Sequence, residues 1–128
     1  MTCFWDGVIK ALQHKGLVSP KITTPHFITL LKQKVIKPNR VRWNNQSITH
    51  KQYLEYKEWI SDYDIKKIGN GHLCSIWDPF LILVSELFTL HINHNYNGFT
   101  VNYTNTHNTN NNTIYFESNS NHFWTHLK

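Results

Sequence analysis

The sequence contains few cysteines, few acidic residues and no long apolar run. Two cysteines among 128 residues cannot build a disulfide framework, so Cys3 and Cys74 are expected to be reduced thiols in the cytoplasm. The longest apolar run, Phe80 to Val84, is far shorter than the roughly 20 residues of a membrane span. With 40% hydrophobic and 14% aromatic residues, the chain has enough apolar surface to fold as one domain over 1–128, away from membranes.

Acidic residues are outnumbered, with 8 Asp and Glu against 13 Lys and Arg, which gives a net charge of +5. Much of the excess lies in the stretch from Lys32 to Arg42, and such a stretch attracts phosphate or acidic protein surfaces. Lys34, Arg40 and Arg42, followed by the ring of Trp43, would suit nucleic acid through phosphate contacts and stacking. The alternative is an ordinary solvated basic surface.

Apolar spacing and capping signals predict helices in the first two thirds of the chain. Four are expected: 3–14 with a stop at Gly16, Thr24-Pro25 up to Pro38, a third opened by a capping box at Thr49–Gln52, and Asp78-Pro79 to Leu90. The last is apolar on every side, so it should be buried between the other helices and a sheet.

The final third has the alternation of strands. A strand begins at His91, Asn97-Gly98 predicts a tight hairpin, and Phe99 begins the returning strand. A third strand is expected over Thr113 to Glu117, after an Asn/Thr-rich loop, and His122 begins a short final strand. Helices followed by a small antiparallel sheet predict the α+β class.

The two ends of the chain carry the residue types of a thiol hydrolase. Cys3 begins the first helix, where the helix N-terminus favours thiolate over thiol, and Thr2 could cap that helix. His122 on the last strand could take the thiol proton. Cys3 could equally be a small buried hydrophobe and His122 a strand-end residue without a role. His126 and His107 are rival bases.

Three segments, taken together, resemble the ovarian-tumour (OTU) family of cysteine proteases. The likeness spans almost the whole chain and rests on Cys3-Phe4-Trp5 followed by Val8-Ile9 and Ala11-Leu12, on Trp77-Asp78 followed by Leu81, Leu83, Val84, Leu87 and Ile92, and on Ile114 to Phe116 followed by Asn121-His122-Phe123. The first matches the family's Cys-aromatic-aromatic helix start, and the last its final hairpin with the catalytic histidine.

The resemblance implies an OTU-like, papain-related fold and a thiol-dependent deubiquitinase. Cys3 and His122 would be catalytic, cleaving after the C-terminal glycine of ubiquitin or a ubiquitin-like modifier, and the Cys3 backbone N–H would serve an oxyanion hole. Trp5 and Trp124 would line the groove for the modifier's extended tail; the alternative is that they are core residues, the commoner place for a large aromatic side chain. The family likeness implies no cofactor or metal, and we expect a monomer, in the host cytoplasm if the protein is viral.

The sequence departs from the family pattern in two places. Only Met1 and Thr2 precede Cys3, where the family has an upstream Asp-Gly, so we expect an upstream segment or a start codon assigned too late. Trp124 occupies the position of the family's orienting acid or amide, and an indole cannot accept a bond from an imidazole N–H. These departures leave open a catalytically degenerate module that binds ubiquitin or nucleic acid.

Four other residues are candidates for orienting His122: Asn119, Asn121, Thr125 and Asp6. A zinc site is disfavoured although His72-Leu73-Cys74 and His91 to His94 supply suitable ligand types. No two cysteines are close in sequence, and His91 and His94 would point to opposite faces of a strand.

Overall fold

A computed structural model describes residues 3–70, 75–119 and 122–127. For residues 3, 69 and 70 it describes the backbone only. Within these residues the fold is α+β, as predicted, with four α-helices and a six-stranded mixed sheet. The helices are α1 (Cys3–His14), α2 (Thr24–Gln33), α3 (His50–Asp62) and α4 (Pro79–Phe88), with a 3₁₀ helix at Ile65–Asn70. The strands are β1 (Val41–Trp43), β2 (Gln46–Ser47), β3 (His91–Tyr96), β4 (Phe99–Asn105), β5 (Thr113–Ser118) and β6 (Phe123–His126).

Local signals set most helix ends. Gly16 ends α1 with φ of +72°, and the N–H groups of Gly16 and Leu17 reach back to the carbonyls of Gln13 and Leu12. These are the two hydrogen bonds of a Schellman motif, in which glycine carries the left-handed residue at little cost. The capping box at Thr49 and Gln52 forms as predicted.

Helix α2 differs slightly from its prediction. Its N-cap is Thr23, whose hydroxyl accepts a hydrogen bond from the His26 N–H, so Pro25 takes the second helical position. The helix ends at Gln33, short of Pro38. The residues after Gln33 instead turn towards β1, a strand that the sequence analysis did not predict.

Helix α4 is the buried central helix that was predicted. The Asp78 carboxylate caps it by accepting the N–H groups of Phe80 and Leu81, and every residue from Pro79 to Glu86 is buried. It packs against α3 on one side and against the sheet on the other. It ends at Phe88, and Thr89 turns the chain out through a left-handed conformation with φ of 53°.

The sheet has the order β2-β1-β4-β3-β5-β6. The hairpin of β3 and β4 turns at Asn97-Gly98 as predicted, with φ of 48° and 87°. β5 pairs with β3 in parallel, so the prediction of an antiparallel sheet was wrong. Because the hairpin returns the chain to the start of β3, β5 begins there, with Thr113 opposite His91, and runs in the same direction.

Helices cover one face of the sheet. The inward positions of the strands carry buried side chains such as Ile92, Val101 and Phe116, while the alternate positions are half-buried or exposed. Among the described helices, none has the length and apolar content to cross a membrane. The described helices therefore lie on one side of the sheet, with α4 between the sheet and α3, and the two ends of the chain meet where α1 packs on β6.

Candidate functional site

The candidate site lies where the first turn of α1 packs on β6. The ring centroids of Phe4 and Phe123 are 5.0 Å apart, and both side chains are buried. Phe4 directly follows Cys3, and Phe123 directly follows His122. The contact therefore joins the residues that follow the two predicted catalytic positions; the side chain of Cys3 and the whole of Thr2 lie outside the described part of the structure.

A glycine allows this close approach of helix and strand. The Thr125 hydroxyl donates a hydrogen bond to the Gly7 carbonyl at 2.7 Å, one turn beyond Phe4. A Cβ atom at Gly7 would lie 2.7 Å from Thr125 Oγ1 and 2.8 Å from the ring of Phe123. The contacts also fix the direction of α1: it starts at the His122 end of β6 and runs towards Thr125.

His122 is exposed at the turn between β5 and β6, and two hydrogen bonds hold its backbone. The His122 N–H donates to the Asn119 side-chain oxygen at 2.9 Å, and the Asn119 N–H donates to the His122 carbonyl at 3.0 Å. The His122 ring lies 4.6 Å from the ring of Trp124, nearly perpendicular to it. Asn119 thus uses its amide oxygen to position the His122 backbone.

The other candidate orienting groups have different positions. Thr125 binds α1 through Gly7, so its hydroxyl proton is directed away from His122. Asp6 is exposed in the first turn of α1. Asn121 lies outside the described residues. In the described residues the hydrogen bonds therefore give His122 a fixed backbone, while the acid or amide that would orient its ring is not identified.

The two tryptophans proposed for the groove have opposite environments. Trp5 is 1% exposed, its indole N–H donates to the Tyr63 hydroxyl at 2.9 Å, and its ring packs on Phe80 and Phe27. Trp5 is therefore a core residue in this structure, which corrects its proposed place in an open groove. The reason is helical geometry, because Trp5 lies on the face of α1 that α4 covers. Trp124 is 38% exposed and lies beside His122.

The two rival bases lie in different parts of the sheet. His126 shares the outer face of β6 with Trp124, and its Nε2 atom is 3.7 Å from the Glu117 carboxylate on β5. His107 follows β4, three strands away from β6 in the sheet order, which is roughly 14 Å at the usual strand spacing. His126 therefore stays a rival to His122, and the sequence analysis missed its acidic neighbour, Glu117, because the β5–β6 register was needed to find it.

The basic residues proposed for nucleic acid are spread over three grooves. Lys34 lies at the C-cap of α2 beside Leu87, whereas Arg42 lines a groove next to β2. Arg40 faces the buried Glu86 side chain, which accepts the Arg40 N–H at 2.9 Å and lies 4.0 Å from its guanidinium. The cations of the basic stretch therefore lie on several surfaces, and Arg40 already has the Glu86 carboxylate as a neighbour.

His91 and His94 point to opposite faces of β3, as predicted. The fully buried ring of His94 is 2.7 Å from the Ser118 hydroxyl, whereas the His91 Nδ1 atom accepts the Asn105 N–H at 3.2 Å. Burial lowers the pKa of His91 below the ordinary value of 6.5. Both imidazoles thus have structural hydrogen bonds; His72 and Cys74 lie outside the described residues.

Comparison of this chain with protein-family models, with curated proteins and with solved structures gave no match.

Proposed function

We propose that this protein is a thiol-dependent isopeptidase of OTU-like architecture that cleaves after the C-terminal glycine of ubiquitin or a ubiquitin-like modifier. The observation that supports it is the packing of α1 on β6, with Phe4 against Phe123. A Cys–His enzyme needs its nucleophile at a helix start and its base on an adjacent strand. The contact supports that pairing, because Phe4 and Phe123 directly follow the two positions that the sequence resemblance selects.

In the proposed reaction, His122 takes the proton of the Cys3 thiol, and the thiolate attacks the carbonyl carbon of the modifier's terminal glycine. Collapse of the tetrahedral intermediate breaks the carbon–nitrogen bond, and His122 protonates the leaving lysine amine. A water molecule, deprotonated by His122, then hydrolyses the thioester and restores the thiol. The first N–H groups of a helix have no intrahelical acceptor, so the start of α1 favours both the thiolate and the oxyanion.

Trp124 would contribute to substrate binding in this proposal. It is exposed next to His122, and a large aromatic surface at a site edge provides apolar contact for an extended peptide. The two hydrogen bonds between Asn119 and the His122 backbone would help to hold the base in place.

The experiment is labelling of the folded protein with ubiquitin carrying a C-terminal electrophile, read by intact mass. We expect an adduct that is lost in Cys3→Ala and kept in Cys74→Ala, the matched cysteine control. His122→Ala should slow labelling at least about a hundredfold, the usual contribution of a positioned base, whereas His126→Ala should not. Loss of labelling in His126→Ala with retention in His122→Ala would assign the base to His126, whose neighbour is Glu117.

A second candidate is a degenerate module that binds ubiquitin without cleaving it. The ring contact between His122 and Trp124 favours it, because an indole occupies the position where the family has a hydrogen-bonding partner for the histidine. This candidate predicts no adduct with the electrophilic probe, together with binding of unmodified ubiquitin that Trp124→Ala weakens and Cys3→Ala leaves unchanged.

A further inference from the structure

An open apolar groove of about 610 Å³ runs along α2. Ile22, Leu30, Leu87 and Phe88 contribute its apolar surface, from the segment before α2, from α2 itself and from the end of α4. Lys21, His26 and Lys34 also line it, and none of the described lining residues is acidic. The positive charge comes from Lys21, which precedes α2, and from Lys34 at its C-cap, so it lies at both ends of the helix.

A second surface on the same chain has the opposite character. Glu55, Glu58 and Asp62 follow one another at helical spacing on α3 and line a shallow groove together with Trp59, which is 42% exposed. Lys67 also lines it. We call Glu55, Glu58, Trp59 and Asp62 the acidic face. Its three carboxylates span seven residues of α3, or about 10 Å.

We propose that the α2 groove of one copy of this protein receives the acidic face of a second copy. The two surfaces are opposite in charge and both have apolar area, since the exposed part of the Trp59 indole would meet an apolar groove that has lysines at its ends. An aromatic anchor in an apolar pocket, with charged residues around it, is the usual arrangement of an interface hot spot.

The two surfaces are different patches, so the contact is head-to-tail and can extend beyond a dimer. It uses none of the residues of the candidate site: the lining of the groove comes from the segment after α1, from α2 and from the end of α4. The proposal is therefore independent of the proposed function. It differs from the sequence-based expectation of a monomer.

The test is sedimentation velocity of the full chain at rising concentration, in low and in high salt. We expect association that grows with concentration and weakens with salt, because exposed charges are screened. Lys34→Glu and Glu58→Lys should each weaken it by about threefold to tenfold, through one lost attraction and one added repulsion. An equimolar mixture of the two variants should regain association, because each variant supplies the partner that the other lacks.

Lys10→Glu, on the exposed surface of α1, is the matched control and should behave like the parent protein. Trp59→Ala should also reduce association; since Trp59 packs on Phe80, its folding is checked by circular dichroism. A protein that stays monomeric at every concentration would overturn the proposal. So would association that both charge reversals leave unchanged, or a mixture that does not recover.

Discussion

Gly7→Ala tests the contact on which the candidate site depends. An added Cβ would lie 2.7 Å from Thr125 Oγ1 and 2.8 and 2.9 Å from two ring atoms of Phe123. All three distances are shorter than real Cβ contacts, so something must move. Phe123 is buried, with its ring between Phe4 and Phe116, and cannot swing into solvent. We therefore expect α1 to shift away from β6.

One stabilising and two destabilising contributions decide whether Gly7→Ala raises or lowers the free energy of unfolding. Alanine favours a helix interior over glycine by about 1 kcal/mol. Overpacking a tight contact costs about 1–3 kcal/mol, and loss of the hydrogen bond from Thr125 to the Gly7 carbonyl costs about 1 kcal/mol more. The net expectation is a loss of about 1–3 kcal/mol in the free energy of unfolding, taking these as independent terms.

Urea unfolding of Gly7→Ala against the parent protein measures this loss, with Lys10→Ala on the exposed side of α1 as the control. If Gly7→Ala instead stabilises the protein by about 1 kcal/mol, helix propensity has prevailed and the close packing of α1 on β6 is refuted. Under the proposed function, labelling by the ubiquitin probe should fall in Gly7→Ala while the protein is still folded, because the displaced helix carries Cys3 away from His122.

Three further predictions concern the sheet. Burial lowers the pKa of His91, so the folded state prefers its neutral form, and its contribution to stability is present above about pH 6.5 and lost as the pH falls through the lowered pKa. Urea unfolding as a function of pH should therefore show a shallower loss of stability on acidification in His91→Gln, and an unchanged slope would contradict this. Asn105 is buried and donates to the Ser85 carbonyl at 2.9 Å, so Asn105→Ala should reduce the free energy of unfolding by about 1–3 kcal/mol, whereas Asn110→Ala in the exposed loop should have little effect. Gly98→Ala should cost about 1 kcal/mol through its φ of 87° alone, since nothing lies within 4 Å of an added Cβ; no loss in urea unfolding would mean that the hairpin turn relaxes.

Several parts of the fold could be predicted because their causes are local. The Thr49 capping box, the Asp78 cap, the Gly16 stop and the Asn97-Gly98 turn each depend on a hydrogen bond or a backbone angle within a few residues. The burial of α4 also followed from the sequence, because a helix that is apolar on every side has no face suited to water. These features establish the α+β class.

Other parts needed the tertiary structure because they depend on contacts between distant residues. The sequence contains the strand pattern of β5, but only the assembled sheet places it parallel to β3 and brings Glu117 near His126. The sequence alone does not distinguish a buried tryptophan from an exposed one. The core position of Trp5 became clear only from the elements packed around it.

The candidate site combines both kinds of information. The sequence by itself placed a cysteine at a helix start and a histidine at a late strand, since each position follows from local pattern and from the family resemblance. The contact between α1 and β6 is a tertiary result, because Gly7 and Thr125 are 118 positions apart in the sequence and only packing brings them together. Hydrophobic burial of Phe4 and Phe123, with glycine leaving room between helix and strand, is the physical reason that the two ends of the chain meet.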